Sequence, residues 1–204
     1  MKPIITIGRE YGSGGREIGI RLAEELQIPF YDKELITLVA ESGGLDPAFV
    51  AKNEEGSHAV EKKGLGRISF ASFNYQPSFS DSIFLHQCSA IRKLAAEGPC
   101  VIVGRCADFV LREQGSINVF IAAGMAGKIA RKRAVAPENE AFTDAQMEKT
   151  ITRINNARQN YYEHYTGQKW GSSASYHLCV HSDLVGVEGA VKTILAYLNA
   201  IPEK

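Results

Sequence analysis

The stretch PIITIGREYGSGGREIGIRLAEEL, residues 3–26, constrains the fold more than any other part of the chain. Its β-branched, apolar start (residues 3–7) reads as a buried strand that stops at Gly8. From Gly15 the spacing changes. Ile18, Leu22 and Leu26, with Ile28 on the flank, fall near one face of a helix that Pro29 ends. Gly12, Gly14 and Gly15 lie at the junction. Glycines there permit positive φ and let backbone N–H groups converge on an anion, and a helix N-terminus adds about half a positive charge. Strand, glycine turn and helix in that order form a phosphate-binding arrangement. A tight turn with no ligand is the plain alternative.

The match to the phosphate-loop pattern G-x-x-x-x-G-K-[ST] is partial. With Gly15 as the second glycine, Glu10 takes the place of the first, Arg16 that of the lysine and Glu17 that of the Ser or Thr. Arg16 keeps the positive charge and offers two donors to phosphate oxygens. Glu17 offers no neutral hydroxyl to Mg2+. It is suited to holding the metal through water, or to lying as a first-turn carboxylate against the helix N-terminus. Gly12, Ser13, Gly14, Gly15, Arg16 and Glu17 are therefore the candidate phosphate-binding residues.

Further along, PCVIVG (99–104), SINVFIAA (116–123) and YHLCVHS (176–182) read as strands, and PFYD contributes a short extended piece. Helical patterns cover 80–98, 125–135, about 143–163 and the end of the chain. A helix is also expected from about Asp32, stopped by Gly43 and Gly44. Strands alternating with helices imply an α/β fold with a mainly parallel sheet. Ligands of such sheets sit beyond the carboxyl ends of the strands, where both the glycine loop and GRCAD emerge. Residues 55–80 mix Gly, Ser and Asn with Phe70, Phe73, Tyr75 and Phe79. They read as a loop-rich insert anchored by its aromatics, with a base-binding surface as the alternative.

Composition narrows the partners. The 204 residues carry 23 Lys+Arg and 23 Asp+Glu, so no net charge draws the chain to nucleic acid or to an anionic membrane. No apolar run approaches the roughly 18 residues of a membrane span. The N-terminal apolar run is too short for a signal-peptide core. The four cysteines show neither C-x-x-C nor zinc spacing. The expectation is a cytoplasmic protein with free thiols.

The arginines are placed unevenly. Arg105 leaves a strand on the ligand side with Asp108 three residues on, suiting the pair to a phosphate and to a sugar or base. A surface ion pair is the alternative. Arg131 and Arg133 precede the break APENEAF, and the next helix carries Arg153 and Arg158. A hinged, arginine-rich hairpin closing over two phosphate chains would neutralise charge on a transferring phosphoryl and exclude water. A solvated charged face is the rival reading. The five histidines show no pairing pattern and are expected to be structural.

Together, ITIGREYGSGGREIGIRLAEELQIPFYDKELI, VIVGRCADFVL, INNARQNYYEHYTGQKWG and YHLCVHS resemble the cytidylate kinase-like family of P-loop proteins, along nearly the whole chain. The resemblance implies a P-loop NTPase three-layer sandwich with helices on both faces of the sheet and a helical arginine-rich lid. It implies one domain over residues 1–204, with an acceptor-side insert at about 30–80 and a lid at about 131–160. It further implies ATP as phosphoryl donor with Mg2+, and a nucleoside monophosphate, CMP or dCMP, as acceptor. Residues 12–16 match the phosphate loop, and Arg16, Arg131, Arg133 and Arg158 the catalytic cations. Asp32, Arg105 and Asp108 fall at the acceptor. The chain departs from true cytidylate kinases by DKE in place of DSG after residue 31, by Cys106 at the aspartate of GRD, and by Asn155 at the aspartate of D-x-x-R. Tyr161, Tyr162, Tyr165 and Trp170 are expected to pack the lid helix onto the core. These departures keep a second reading open: a non-catalytic nucleotide- or phosphate-binding sensor on the same fold.

Overall fold

The structure, a computed structural model, describes residues 3–32, 79–135 and 142–202. Five parallel strands form its sheet: β1 (Ile5–Arg9), β2 (Phe30–Tyr31), β3 (Val101–Val103), β4 (Ile117–Ala122) and β5 (Leu178–His181), in spatial order β2-β3-β1-β4-β5. Strand β1 is central, and its register aligns Ile5 with Val101 on one side and with Ile117 on the other. The chain leaves β1 toward β2 on one flank and leaves β3 for β4 on the other. The order therefore reverses around β1, which opens a crevice at the carboxyl ends of the strands.

The period-2 alternation of β1 divides the core. Ile5 and Ile7 face helix α1 (Gly15–Leu26) and the closing helix α6 (Ser182–Ala200), packing with Val101, Val103, Val119, Ile121 and Val180. On the other face, Ile102 packs with helices α2 (Phe79–Glu97) and α3 (Ala107–Val110) through Ile91, Leu94 and Leu111. Each fully buried Ile or Leu stabilises by about 1.5–3 kcal/mol relative to exposure. Helices thus cover both faces, as expected.

Two more helices leave β4: α4 (Met125–Val135) and α5 (Asp144–Thr166). Helix α5 begins at a capping box, in which Thr143 Oγ1 accepts from the Gln146 N–H and Gln146 Oε1 from the Thr143 N–H. It ends at Gly167 in the left-handed region, φ 66°. Other boundaries differ from expectation. β1 runs past Gly8 to Arg9, because Gly8 and Arg9 still pair with Phe120 and Ile121. Helix α1 stops not at Pro29 but at Gln27, whose αL conformation (φ 52°) returns its N–H to Ala23 and Glu24 carbonyls. The expected helix after Asp32 and the aromatics Phe70, Phe73 and Tyr75 lie outside the described residues. Among those residues, no helix is long and apolar enough to cross a membrane.

Candidate active site

The glycine loop leaves β1 with Gly12 at φ 85° and Gly14 at φ 76°. Gly14 occupies the N-cap of α1 in a left-handed conformation and offers no side-chain cap. Among the described residues no side chain caps these N-terminal N–H groups, which suits them to an external acceptor. Both flanks of the loop are tied down. Ser13 Oγ donates to the Glu10 carbonyl at 2.9 Å, and Ser182 Oγ lies 2.6 Å from the Ser13 carbonyl. Glu10 Oε2 accepts from the Ala123 N–H at 2.9 Å and from Lys128 Nζ at 2.7 Å. Lys128 is 6% exposed, and its stem backs directly onto Gly12. Such a buried lysine is costly without a partner, and Glu10 is that partner.

Positive groups surround the loop, and Lys128, Arg131 and Arg16 each meet a carboxylate. The Arg131 guanidinium lies against Gly14, where a Cβ would come within 2.7 Å of it, and pairs with Glu17. Glu17 also pairs with Arg21 at 3.0 Å. Arg16 donates from Nε to Asp32 Oδ2 at 2.8 Å and rests its guanidinium over the Phe30 ring. The arginine in the lysine's place is thus exposed and turned toward Asp32, and these two candidates meet each other. Arg133 is not brought to the loop. It pairs with Asp144 across the break between α4 and α5, and both side chains are exposed. Arg158 reaches the Arg9 carbonyl at 3.2 Å and lies over the Tyr11 ring, whose residue's N–H donates to Asn155 Oδ1 at 2.7 Å. In this chain Asn155 holds the loop by its backbone.

Beside the loop, a cavity of about 460 Å³ opens between the ends of β1 and β3 and one face of α5. Three successive residues with positive φ line up at its floor: Gly104 (79°), Arg105 (57°) and Cys106 (55°). For Arg105 and Cys106 this costs of order 1–3 kcal/mol each, a strain that concentrates at functional sites. The Arg9 guanidinium packs over Gly104, where a Cβ would lie 2.0 Å from its Nη1 and push it aside. The turn places Arg105 on the cavity wall and starts α3 with Asp108 inside.

Asp108 is 6% exposed and accepts from Tyr162 Oη at 2.5 Å. Burial raises its carboxyl above the ordinary range, while the Tyr162 hydrogen bond pulls it partly back. Burial likewise raises the Tyr162 and Tyr176 phenols, with the negative field of Asp108 adding to it. The Cys106 thiol is raised by burial and then by Asp108, so it stays protonated and unreactive at neutral pH. Asp108 is therefore a buried group lining the cavity, not half of a surface pair.

Several site residues escaped the sequence reading. Arg9, Lys149 and Tyr176 line the cavity beside Arg153, and Lys128 anchors the loop. Tyr161, Tyr162 and Trp170 pack α5 as expected: Trp170 meets Phe120 edge-on at 5.2 Å, and Tyr161 donates to Gln87 at 2.8 Å. They also face the cavity. Among the described residues, no cluster of three His, Cys, Asp or Glu side chains is placed to hold a metal ion. His177 is structural, its Nδ1 accepting from the Asn118 N–H at 2.9 Å.

Fold and site define the class, and comparison with solved structures agrees. A protein from Eubacterium ventriosum ATCC 27560, described as uncharacterized, superposes with a TM-score of 0.72 at 28% identity, covering 98% of this chain and 100% of that one. Shikimate kinase from Bacteroides thetaiotaomicron gives 0.58 at 14% identity over 97% and 98% of the two chains. Shikimate kinase from Acinetobacter baumannii gives 0.54 at 14% identity over 99% and 97%. The last two share the fold of P-loop kinases. No curated protein matches in sequence. The model of the cytidylate kinase-like family matches residues 4–184, and the chain belongs to that family. It is a kinase-like P-loop protein.

Proposed function

We propose that the chain transfers the γ-phosphoryl of Mg-ATP to a nucleoside monophosphate, CMP or dCMP first among them. The observation that carries this reading is the adjacency of two sites. A glycine loop with open helix N–H groups abuts an arginine-lined cavity, and Arg9 and Arg158 stand at the joint. The loop suits the β- and γ-phosphates of ATP, through the N–H groups at residues 12–17 and the Arg131 guanidinium over Gly14. The cavity suits the acceptor, with Arg105 at its phosphate and Asp108 at its sugar or base. Asp32 joins the acceptor side if Arg16 leaves it for phosphate. Residues 131–160 act as a lid, and Arg158 neutralises charge on the phosphoryl in transit. Arg133, paired with Asp144, contributes to holding the lid.

In the reaction an acceptor phosphate oxygen attacks the γ-phosphorus. A new P–O bond forms, the bridging bond to the β-phosphate breaks, and ADP leaves. The nucleophile is already anionic, so no side chain is needed as general base. Positioning and electrostatic stabilisation supply the rate. Mg2+ enters with ATP as part of the substrate, held by nucleotide oxygens and water as this ion prefers. Among the described residues, the carboxylates Glu10, Glu17 and Asp32 beside the loop are each engaged with a cation.

One observation favours a second reading, a non-catalytic nucleotide sensor: Arg16 is turned to Asp32 rather than into the loop. The test is ADP release from Mg-ATP with CMP, dCMP, UMP, AMP, GMP or no acceptor. Acceptor-dependent release with one or two monophosphates is expected. ATP binding with no release for any of them would leave either another acceptor or the sensor in place of a nucleoside-monophosphate kinase.

A further inference from the structure

Tyr11 is where the glycine loop meets both helices that flank the break. Its backbone N–H donates to Asn155 Oδ1 on α5 at 2.7 Å. That amide is spent on the helix, so residue 11 acts on the site through its side chain. The half-buried ring lies near two cations. Lys132 Nζ, on α4, is 4.9 Å from the ring centroid, and Arg158 Cζ, on α5, is 5.6 Å from it. Both fall within the roughly 6 Å over which an aromatic face attracts a cation. Lys132 follows Arg131, whose guanidinium packs against Gly14, and Arg158 also donates to the Arg9 carbonyl at 3.2 Å. One cation from each helix is thus gathered beside the loop by a single side chain of the loop itself.

The kind of holder matters. Arg16, Arg131 and Lys128 are held by the carboxylates of Asp32, Glu17 and Glu10. A carboxylate offsets the charge it holds and repels an incoming phosphate. An aromatic ring attracts a cation through its quadrupole and carries no net charge. The ring therefore seats Lys132 and Arg158 without offsetting their charge. Long, flexible side chains lose rotamer freedom when they meet a ligand, and a cation already seated has lost part of it beforehand.

From this we infer that Tyr11 is a positioning residue for phosphoryl transfer: its ring seats Lys132 and Arg158 beside the loop so that both charges meet the phosphoryl as it leaves ATP. Lys132 thereby joins Arg158 as a cation of the transfer step. No bond at Tyr11 forms or breaks, and its effect reaches the reaction through the two cations. The inference rests on the kinase reading above.

The experiment compares Tyr11→Leu, Tyr11→Phe, Lys132→Gln and the double variant Tyr11→Leu with Lys132→Gln against the wild type, each as the full chain. It reads melting temperature, calorimetric affinity for Mg-ATP, and kcat and KM for ADP release with the best acceptor among CMP, dCMP, UMP, AMP and GMP. Tyr11→Leu is expected to lower kcat about tenfold, with Mg-ATP affinity and acceptor KM within about threefold and little change in melting temperature. Tyr11→Phe keeps the ring and is expected to hold kcat within about twofold of the wild type. Lys132→Gln should cost less in the Tyr11→Leu background than alone, because the two act together. Tyr11→Leu as fast as the wild type overturns the inference. So does Tyr11→Phe as slow as Tyr11→Leu, which would assign the effect to the hydroxyl. A loss of melting temperature and ATP affinity with kcat unchanged would make Tyr11 a structural residue of the loop, and the inference falls. An equal cost of Lys132→Gln in both backgrounds would separate that lysine from the ring and sink the inference alone. If the wild type turns over none of the monophosphates, the reading beneath the inference falls and takes it along.

Discussion

The glycine loop and the cavity beside it solve the problem of polar groups in opposite ways. Around the loop, cations meet carboxylates: Arg16 with Asp32, Arg131 with Glu17, Lys128 with Glu10. The first two pairs are partly or largely exposed. Pairs of that kind are worth about 0–1 kcal/mol and can be exchanged for a phosphate at little cost. The inner part of the cavity sets the buried Cys106, Tyr162 and Tyr176 around one buried carboxyl, Asp108, which accepts a short hydrogen bond from Tyr162. Low dielectric makes those contacts strong and their loss expensive. A loop that must trade partners each cycle uses weak pairs, and a pocket that must choose its ligand uses buried ones.

The largest expected effect comes from breaking the loop's frame rather than its charges. In an ordinary helix Gly→Ala is favourable by about 1 kcal/mol. At Gly15 the added Cβ would lie 2.5 Å from Arg9 Cβ, an atom too near the backbone to swing away. Gly15→Ala should therefore cost about 1–3 kcal/mol by overpacking, and should abolish detectable ATP binding. Chemical denaturation and calorimetry on the same preparation check both. A stable variant with intact ATP affinity would show that the loop is not framed by Arg9.

A smaller effect tests the cavity. The folded-state pKa of Asp108 is raised, chiefly by burial, above an unfolded value of about 3.9. The folded protein then holds the proton more tightly than the unfolded chain. The stabilising contribution is complete below about pH 4 and is lost as pH rises through the raised value. Asp108→Asn has no such proton. The melting-temperature difference, wild type minus variant, should therefore fall steadily from about pH 4 toward neutrality. A constant or rising difference would mean that Asp108 is solvated, and the contrast between the two regions would lose its basis.

The same contrast explains what was legible in the sequence. The strands, the glycine loop and helices α4 and α5 are written in local periodicity, and a short window suffices to read them. The loop's frame is not. Lys128 in GKIARKR reads like any surface lysine, because nothing local reports that it is buried behind Gly12 against Glu10. The Tyr162–Asp108 bond joins residues 54 apart in the chain. Tyr176 is one aromatic in a strand-like run until the sheet brings it over Gly8. Arg133 is the converse case. Its place in a basic cluster suggested a phosphate ligand, but the geometry pairs it with Asp144. Residue type gave the site its charge, while burial and long-range contact decided which charges face inward.

That converse case supplies the smallest effect. Arg133 and Asp144 bridge the break between α4 and α5 with half or more of each side chain exposed. An exposed pair contributes about 0–1 kcal/mol to stability, so neither Arg133→Ala nor Asp144→Ala should move the melting temperature by more than a degree or two. The pair's position predicts a kinetic signature instead. If it tethers the lid, each single variant should change the acceptor and ATP affinities together, and the double variant should add nothing to either single. A charge acting directly on the phosphoryl would behave differently, because Arg133→Ala would lower turnover far more than Asp144→Ala. The double-mutant cycle separates a tether from a phosphate ligand, since only a tether needs both partners.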